Sequence, residues 1–149
     1  MNIEEMKRLL DEMSILNTVN KRKEALSKLV QIKDEEIPAL IKNTDKSYWG
    51  EAVKVISEIG SPRNYIAIPE LISLLQDLNW PGADEALKIM ESMDKKILIP
   101  YIEKALKEAE NENDDEWIAG IKYFVIMKAL NEDDFSNNEV YKILEQAAW

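Results

Sequence analysis

The stretch Asp77-Leu78-Asn79-Trp80-Pro81-Gly82-Ala83 lies near the middle of the 149-residue chain, inside a pattern that occurs three times. Each copy begins with an Ile-Pro pair and continues to a tryptophan, and the three prolines are each 31 residues apart. The tryptophan follows its proline by eleven residues in two copies and, after six extra residues, by seventeen in the third. The proline and tryptophan of the three copies are Pro38 with Trp49, Pro69 with Trp80, and Pro100 with Trp117.

A fixed period of this size is typical of stacked supersecondary units, none of which can bury its apolar face alone. Small or apolar residues follow each tryptophan at helical spacing, and only four glycines occur in the chain. The pattern therefore predicts an all-α protein, a short HEAT-like helical-repeat array (an α-solenoid) of about eight helices.

The length of the chain favours a single domain, 1–149. An N-terminal helical hairpin precedes the copies and is either a degenerate fourth repeat or a separate cap. A C-terminal helix is expected to cap the other end. The predicted segments are the hairpin 1–33, the repeats 34–62, 63–94 and 95–131, and the capping helix 135–149.

Within each repeat, the proline is expected near the start of the first helix, where its missing N–H costs little, and the tryptophan heads the second helix. Short polar side chains before these points are candidate N-caps. At the chain start Asn2 can cap the first helix, and near the end Ser136 with Glu139 forms a capping box. The candidate caps of the repeats are Asp34, Asn64 and Asp94 for the first helices, and Ser47, Asn79 and either Asp114 or Asp115 for the second.

Charge is unevenly distributed along the chain. Residues 1–75 hold 11 basic and 12 acidic side chains, whereas residues 76–149 hold 8 basic and 17 acidic ones, a net charge of -9. Phosphate contact requires lysine and arginine, so the acidic half disfavours nucleic acid and favours a basic protein partner. Solubility alone is the alternative explanation.

Two charged runs have simple structural interpretations. The cluster Lys21, Arg22, Lys23 and Lys28 fits the solvated face of a helix. Residues 108–116 contain six acids and no base. They are expected to form an exposed loop that also supplies negative charge to the next helix N-terminus, with a binding role as the alternative.

The chain contains no histidine and no cysteine, which excludes Ser-His-Asp triads, His/Cys zinc sites and iron-sulfur ligation. Its four scattered glycines cannot form a phosphate-binding loop. We therefore expect no catalytic residue, no metal site and no cofactor. No signal-like or membrane-spanning run is present in the sequence, so we expect a cytoplasmic protein that does not bind membranes.

The repeated tryptophans are best explained by packing, with each indole N–H bonded to a loop carbonyl. Residues found in one copy only are better candidates for contact with a partner. The candidate partner-binding residues combine these with the acidic side chains and tryptophans around them: Asp77, Asn79, Trp80, Asp84, Glu85, Glu91, Asp114, Asp115, Glu116 and Trp117.

The run Asp77-x-Asn79-Trp80-Pro81-x-Ala83, with Pro69-Glu70-Leu71 before it and Asp115-x-Trp117 after it, resembles the bacterial domain-of-unknown-function family 5071, small HEAT-like proteins. The resemblance covers approximately residues 64–130, and the acidic stretch before Asp115 is longer than the usual pattern. It implies a helical-repeat fold and a bacterial cytoplasmic origin, but no activity.

Three functional hypotheses remain open. The leading one is a non-catalytic protein-binding module, in a specific version an immunity or antitoxin-like protein that neutralises a basic toxin. The second is an enzyme of the HEAT-like DNA glycosylase type, which would require a basic DNA-facing surface. The third is a structural or assembly subunit with an exposed Trp149. The oligomeric state is left open.

Overall fold

The computed structural model describes residues 1–147, which contain nine α-helices, several short 3-10 helices and no β-strand. The predicted all-α class is confirmed, and the helix count is close to the expected eight. Ala148 and Trp149 lie outside the described residues, and with them the end of the predicted capping helix and the tryptophan invoked for an assembly subunit.

The chain divides into two compact units, Met1–Glu70 and the remainder from Leu71 onward. The first unit contains α1 (Ile3–Glu12), α2 (Val19–Leu29), a 3-10 helix Asp34–Glu36, α3 (Ala39–Lys42), α4 (Lys46–Ile59) and a 3-10 helix Arg63–Ala67. Helix α5 (Ile68–Ser73) runs across the division. The second unit continues with 3-10 helix Leu74–Gln76, α6 (Ala83–Glu91), α7 (Lys95–Asn111), α8 (Asp115–Met127), 3-10 helix Glu132–Asp134, α9 (Asn138–Tyr141) and 3-10 helix Lys142–Gln146. The repeat boundaries and the single domain stay predictions.

The first unit begins with an amphipathic helix that starts where the sequence predicts. The Asn2 side chain accepts a hydrogen bond from the Glu5 backbone N–H and so caps α1. Met6, Leu9 and Leu10 fall at helical spacing and are fully buried. The polar start and apolar face of α1 thus follow directly from the sequence.

Arg63 ties the 3-10 helix Arg63–Ala67 to residues 30–34 of the first unit. Its Nε donates to Asp34 Oδ1 at 2.7 Å, while its two terminal nitrogens donate to the carbonyls of Val30 at 3.1 Å and Ile32 at 2.8 Å. The predicted capping role of Asp34 is wrong, since this residue lies inside a 3-10 helix and pairs with Arg63. Charged donors bonded to backbone carbonyls stabilise a fold more than exposed ion pairs do.

Two further predicted caps are wrong for local reasons. Asp45, not Ser47, caps α4, because Asp45 Oδ1 accepts the Ser47 N–H at 2.9 Å. Asn64 is buried within a 3-10 helix, where its side-chain amide donates to the Ile56 carbonyl at 3.2 Å. In contrast, Asp94 caps α7 as expected.

Two of the repeated tryptophans donate to carbonyls at matching positions of the sequence pattern. Trp49 Nε1 donates to the Ile41 carbonyl at 3.1 Å in the first unit, and Trp117 Nε1 donates to the Ile72 carbonyl at 3.0 Å in the second. Both isoleucines stand three residues after the proline of an Ile-Pro pair. An indole-to-carbonyl bond is therefore present for these two tryptophans, but the acceptors lie within α3 and α5 rather than in loops, and Trp117 bonds the second copy rather than its own.

The third copy differs from the expected helix layout. Pro100 lies inside α7 rather than near its start, so it cannot donate the helical bond to the Lys96 carbonyl. The acidic run 108–116 is mostly not a loop: α7 continues to Asn111, Asp114 caps α8, and α8 begins at Asp115. The turn is short because Asn113 adopts a left-handed backbone, with φ of 55°. The supply of acidic residues to the α8 N-terminus is confirmed.

Gly120 allows α8 to approach the 3-10 helix Leu74–Gln76. A Cβ on Gly120 would lie 1.9 Å from the Leu75 carbonyl oxygen and 2.9 Å from its carbon. These are backbone atoms, so the neighbour cannot rotate away as a side chain would. The close packing of these two elements requires glycine at this position.

Replacing Gly120 with alanine should therefore destabilise the protein by about 2 kcal/mol or more, because α8 has to move away from Leu75. The comparison variant Ser57→Ala, at an exposed helical position, should change the stability by less than about 0.5 kcal/mol. Urea unfolding followed by circular dichroism measures both. An unchanged unfolding midpoint in Gly120→Ala would show that the close approach is absent.

Arg63→Lys should lower the free energy of unfolding by about 1–2 kcal/mol, because the lysine ammonium lacks the planar set of N–H donors with which the guanidinium reaches its three acceptors. Arg8→Lys is a matched control, since Arg8 forms an exposed ion pair with Glu12 and its replacement should change stability little. Urea unfolding under identical conditions gives the difference. Equal losses in the two variants would contradict the role assigned to Arg63.

Candidate functional site

An open cavity of about 410 Å³ lies in the second unit, between residues 75–79 and one face of α8. We call it the acidic cleft. Two of its lining side chains are carboxylates and none is a lysine or arginine. The lining residues are Leu75, Gln76, Asp77, Leu78 and Asn79 from the first segment, and Glu116, Ala119, Gly120 and Tyr123 from α8.

The first wall of the cleft is shaped by a turn that Asp77 organises. Asp77 Oδ1 accepts the Asn79 backbone N–H at 2.8 Å, and the Asp77 carbonyl accepts the Trp80 N–H at 3.0 Å. Aspartate favours such turns because its side chain bonds its own backbone two residues on. The turn leaves Asn79 and Leu78 exposed at the cleft.

The same turn explains why two predictions about the second repeat are wrong. Asn79 does not cap a helix, and Trp80 does not lie in a first helical turn, because α6 begins at Ala83 with Gly82 as its N-cap. Gly82 has a φ of 87°, a left-handed conformation that glycine adopts without strain. The chain from Trp80 to Gly82 therefore forms a tight turn, and α6 begins only at Ala83.

The second wall is a single stripe of α8. Glu116, Ala119, Gly120 and Tyr123 are spaced i, i+3, i+4 and i+7, so they share one helix face. Helix α8 is fixed at its start by Asp114, whose side chain accepts the Trp117 backbone N–H at 3.0 Å. Because Gly120 has no side chain, the stripe has a low point at which the first wall can approach.

The cleft combines negative charge with accessible aromatic and apolar surface. Within residues 1–147, neither Asp77 nor Glu116 forms an ion pair. The Tyr123 side chain is 46% exposed and Leu78 is 37% exposed. Such a surface can accept hydrogen bonds from a cation and cover the apolar stem that carries it.

The ten predicted partner-binding residues do not form one surface. Asp77, Asn79 and Glu116 line the acidic cleft. Trp117 is only 5% exposed, so its side chain belongs to the core and cannot contact a partner in this conformation. The remaining predicted residues lie outside the cleft lining: Trp80 in the turn, Asp84, Glu85 and Glu91 on α6, and Asp114 and Asp115 at the start of α8.

The α6 carboxylates differ from those of the cleft in their surroundings. Glu85 forms an exposed ion pair with Lys88 at 3.5 Å, and the Glu91 carbonyl accepts a hydrogen bond from Lys128 Nζ at 2.7 Å. Lysine side chains therefore partly offset the negative charge along α6. This leaves the cleft as the better-defined acidic feature.

Sequence reasoning missed the contributions of Gln76 and Tyr123 to the cleft. The helical spacing from Glu116 to Tyr123 was visible in the sequence and would have placed both on one face. The approach of residues 75–79 to that face depends on Gly120, whose role needs the three-dimensional structure to see.

The described residues 1–147 contain no cluster of three or more acidic side chains arranged to hold a metal ion. Over the same range, every helix is too short or too polar to cross a membrane. Neither finding adds chemistry to the acidic cleft.

The comparison with protein families gives one match. Residues 51–148, or 98 of the 149 residues, match the model described as "Domain of unknown function (DUF5071)". The matched range includes every residue that lines the acidic cleft. The chain has no significant match among curated proteins or among solved structures. The predicted family is confirmed, and the chain belongs to the DUF5071 family.

Proposed function

We propose that this protein is a non-catalytic binding module and that the acidic cleft holds a basic segment of a protein partner. The observation that carries the proposal is the pair of carboxylates, Asp77 and Glu116, that line an open cavity without an ion-pair partner among the described residues. The chain from residue 76 onward carries a net charge of -9, which strengthens the attraction for a basic partner.

The lining of the cleft suits a lysine or arginine side chain. Asp77 and Glu116 can accept hydrogen bonds from the cationic group, and Asn79 can accept or donate one. The half-exposed Tyr123 ring offers a face for cation–π contact. A cavity of about 410 Å³ is within the range that binds small molecules or a few side chains.

A finer version of the proposal is an immunity or antitoxin-like role against a basic toxin. Charge complementarity accelerates the encounter of oppositely charged proteins and selects against acidic partners. An inhibitor benefits from both effects because it must capture its target quickly. Helical arrays commonly present such a binding surface.

The chemistry of the cleft also supports a binding role over catalysis. Its lining offers carboxylates, amides and a phenol, and the chain lacks the histidine or cysteine that most nucleophilic mechanisms require. DNA phosphates would meet carboxylates at this surface rather than lysines, so no observation favours the glycosylase alternative.

The double variant Asp77→Asn/Glu116→Gln should lose the partner. Asparagine keeps the Oδ1 that accepts the Asn79 N–H, so the turn is retained while both charges are removed. Immobilised wild-type protein should retain a basic protein from a lysate of the cells that express it. With that partner purified, the double variant should bind about tenfold more weakly or worse, and wild-type binding should weaken as salt rises.

The matched control is Glu132→Gln/Glu145→Gln, which removes the same two charges from exposed positions outside the cleft. It should retain most of the partner affinity. If both double variants bind the partner equally weakly, the loss of affinity results from net charge alone, and a role for the cleft is contradicted. Retention of DNA in place of a basic protein, with release of a base, would favour the glycosylase hypothesis instead.

A further inference from the structure

A second cavity of the unit that starts at Leu71 contains the only acidic side chain that is buried within the described residues. This cavity, of about 370 Å³, is formed by α7 and the segment around the 3-10 helix Glu132–Asp134. Glu103 lines it and is 8% exposed. We call it the Glu103 pocket.

The carboxylate of Glu103 is only half satisfied. Its Oε1 accepts a hydrogen bond from the Ser136 hydroxyl at 2.7 Å, but no described residue donates to its Oε2. Burying a carboxylate without hydrogen bonds to both oxygens costs free energy, so such atoms require an explanation.

The bond to Ser136 also shows why this serine does not form the predicted capping box: Asn137 caps α9, accepting the Glu139 N–H at 2.8 Å.

Two lysines and two aspartates also line the pocket. Lys95 Nζ lies 2.7 Å from Asp134 Oδ1, and the hydrogen bond from this lysine lowers the pKa of the Asp134 carboxyl. These two side chains therefore remain ionised at neutral pH and offset each other. Lys96 and Asp133 are both exposed and balance in formal charge. The lining side chains comprise two lysines and three acids, so their formal charges sum to -1.

The wall beside Glu103 is apolar. Ile99 and Pro100 lie one helical turn before Glu103 on α7 and line the same pocket. Because Pro100 has no N–H, α7 presents an interrupted hydrogen-bond ladder on this side. Together these residues offer a hydrocarbon surface next to a carboxylate that lacks a donor.

We infer that the Glu103 pocket binds a small organic cation that carries N–H donors, namely a protonated amine or a guanidinium group. The N–H groups would supply the donor that Oε2 lacks, and the attached methylene groups would lie against Ile99 and Pro100. Oε2 has less than 1 Å² of accessible surface, so the ligand reaches it only after the carboxylate turns about its broad terminal torsion and the bond to Ser136 re-forms. The site shares no lining residue with the acidic cleft and stands independently of the proposed function.

The test uses methylguanidinium and n-butylammonium as probes of the full-length, ¹⁵N-labelled protein. Saturable amide shifts at Glu103, Ser136 and neighbouring residues support the site. Tetramethylammonium carries the same charge but has no N–H, so it should produce no such shifts at equal ionic strength. Shifts of equal size with tetramethylammonium, or no saturable shift with either N–H probe, would overturn the inference.

Two variants make the test specific. Glu103→Gln should weaken binding of both N–H probes about tenfold, because an amide removes the charge and directs its own donors at the ligand. Glu139→Gln, an exposed residue outside the pocket, should leave binding unchanged. If Glu103→Gln does not fold, the wild-type comparison of N–H probes with tetramethylammonium decides alone. Unchanged binding in a folded Glu103→Gln protein would refute the site.

A third arm distinguishes the source of the cation. The tripeptide Gly-Arg-Gly presents the guanidinium group as a side chain of a protein would. Tighter binding of the tripeptide than of methylguanidinium identifies a protein side chain as the ligand, and weaker binding identifies a free small cation. Either ranking supports the Glu103 pocket as a site for N–H cations.

Discussion

The contact between α8 and residues 72–75 is the constraint on which the second unit depends. Trp117 is buried and donates its indole N–H to the Ile72 carbonyl, and Gly120 places the α8 backbone directly against Leu75. The Trp117 hydrogen bond holds α8 to the Ile72 carbonyl, and the lack of a side chain at Gly120 lets the two backbones touch. Their three-residue spacing puts both on the same face of α8, so the helix has little freedom to rotate or withdraw. The acidic cleft borders this contact and takes its shape from it.

The sequence could predict the all-α class and several helices, because these depend on local patterns. Helical spacing of apolar residues located α1, and the short polar caps Asn2 and Asp94 marked two helix starts correctly, while Asp114 is the member of the candidate pair Asp114 and Asp115 that caps α8. Wrong caps, such as Ser47 and Asn64, occur where a better acceptor stands nearby or where a distant carbonyl competes for the side chain. The competitor of Ser47 stands only two residues away, whereas the bond from Asn64 to the Ile56 carbonyl depends on the folded chain.

The candidate sites divide in the same way. Asp77, Asn79 and Glu116 could be predicted because they interrupt a repeat, and they do line one cavity. Glu103 could not be predicted, because it has the appearance of an ordinary surface residue of an amphipathic helix. Its burial results from the packing of the segment around Ser136 against α7, which no periodicity reveals. The carboxylates of the acidic cleft are open to solvent, whereas the Glu103 carboxylate is buried and accepts a hydrogen bond from Ser136.

The departure from the repeat accounts for the position of the acidic cleft. In the first unit, the carbonyl three residues after the repeat proline is bonded by Trp49, the tryptophan of the same copy. In the second unit, the corresponding Ile72 carbonyl is bonded by Trp117, which comes from the next copy. Trp80 is consequently not needed at that carbonyl, and the chain around it forms a tight turn from Asp77 to Gly82 instead of a helix start. This turn is the first wall of the cleft, so the cleft lies where the chain departs from the sequence pattern of the first copy.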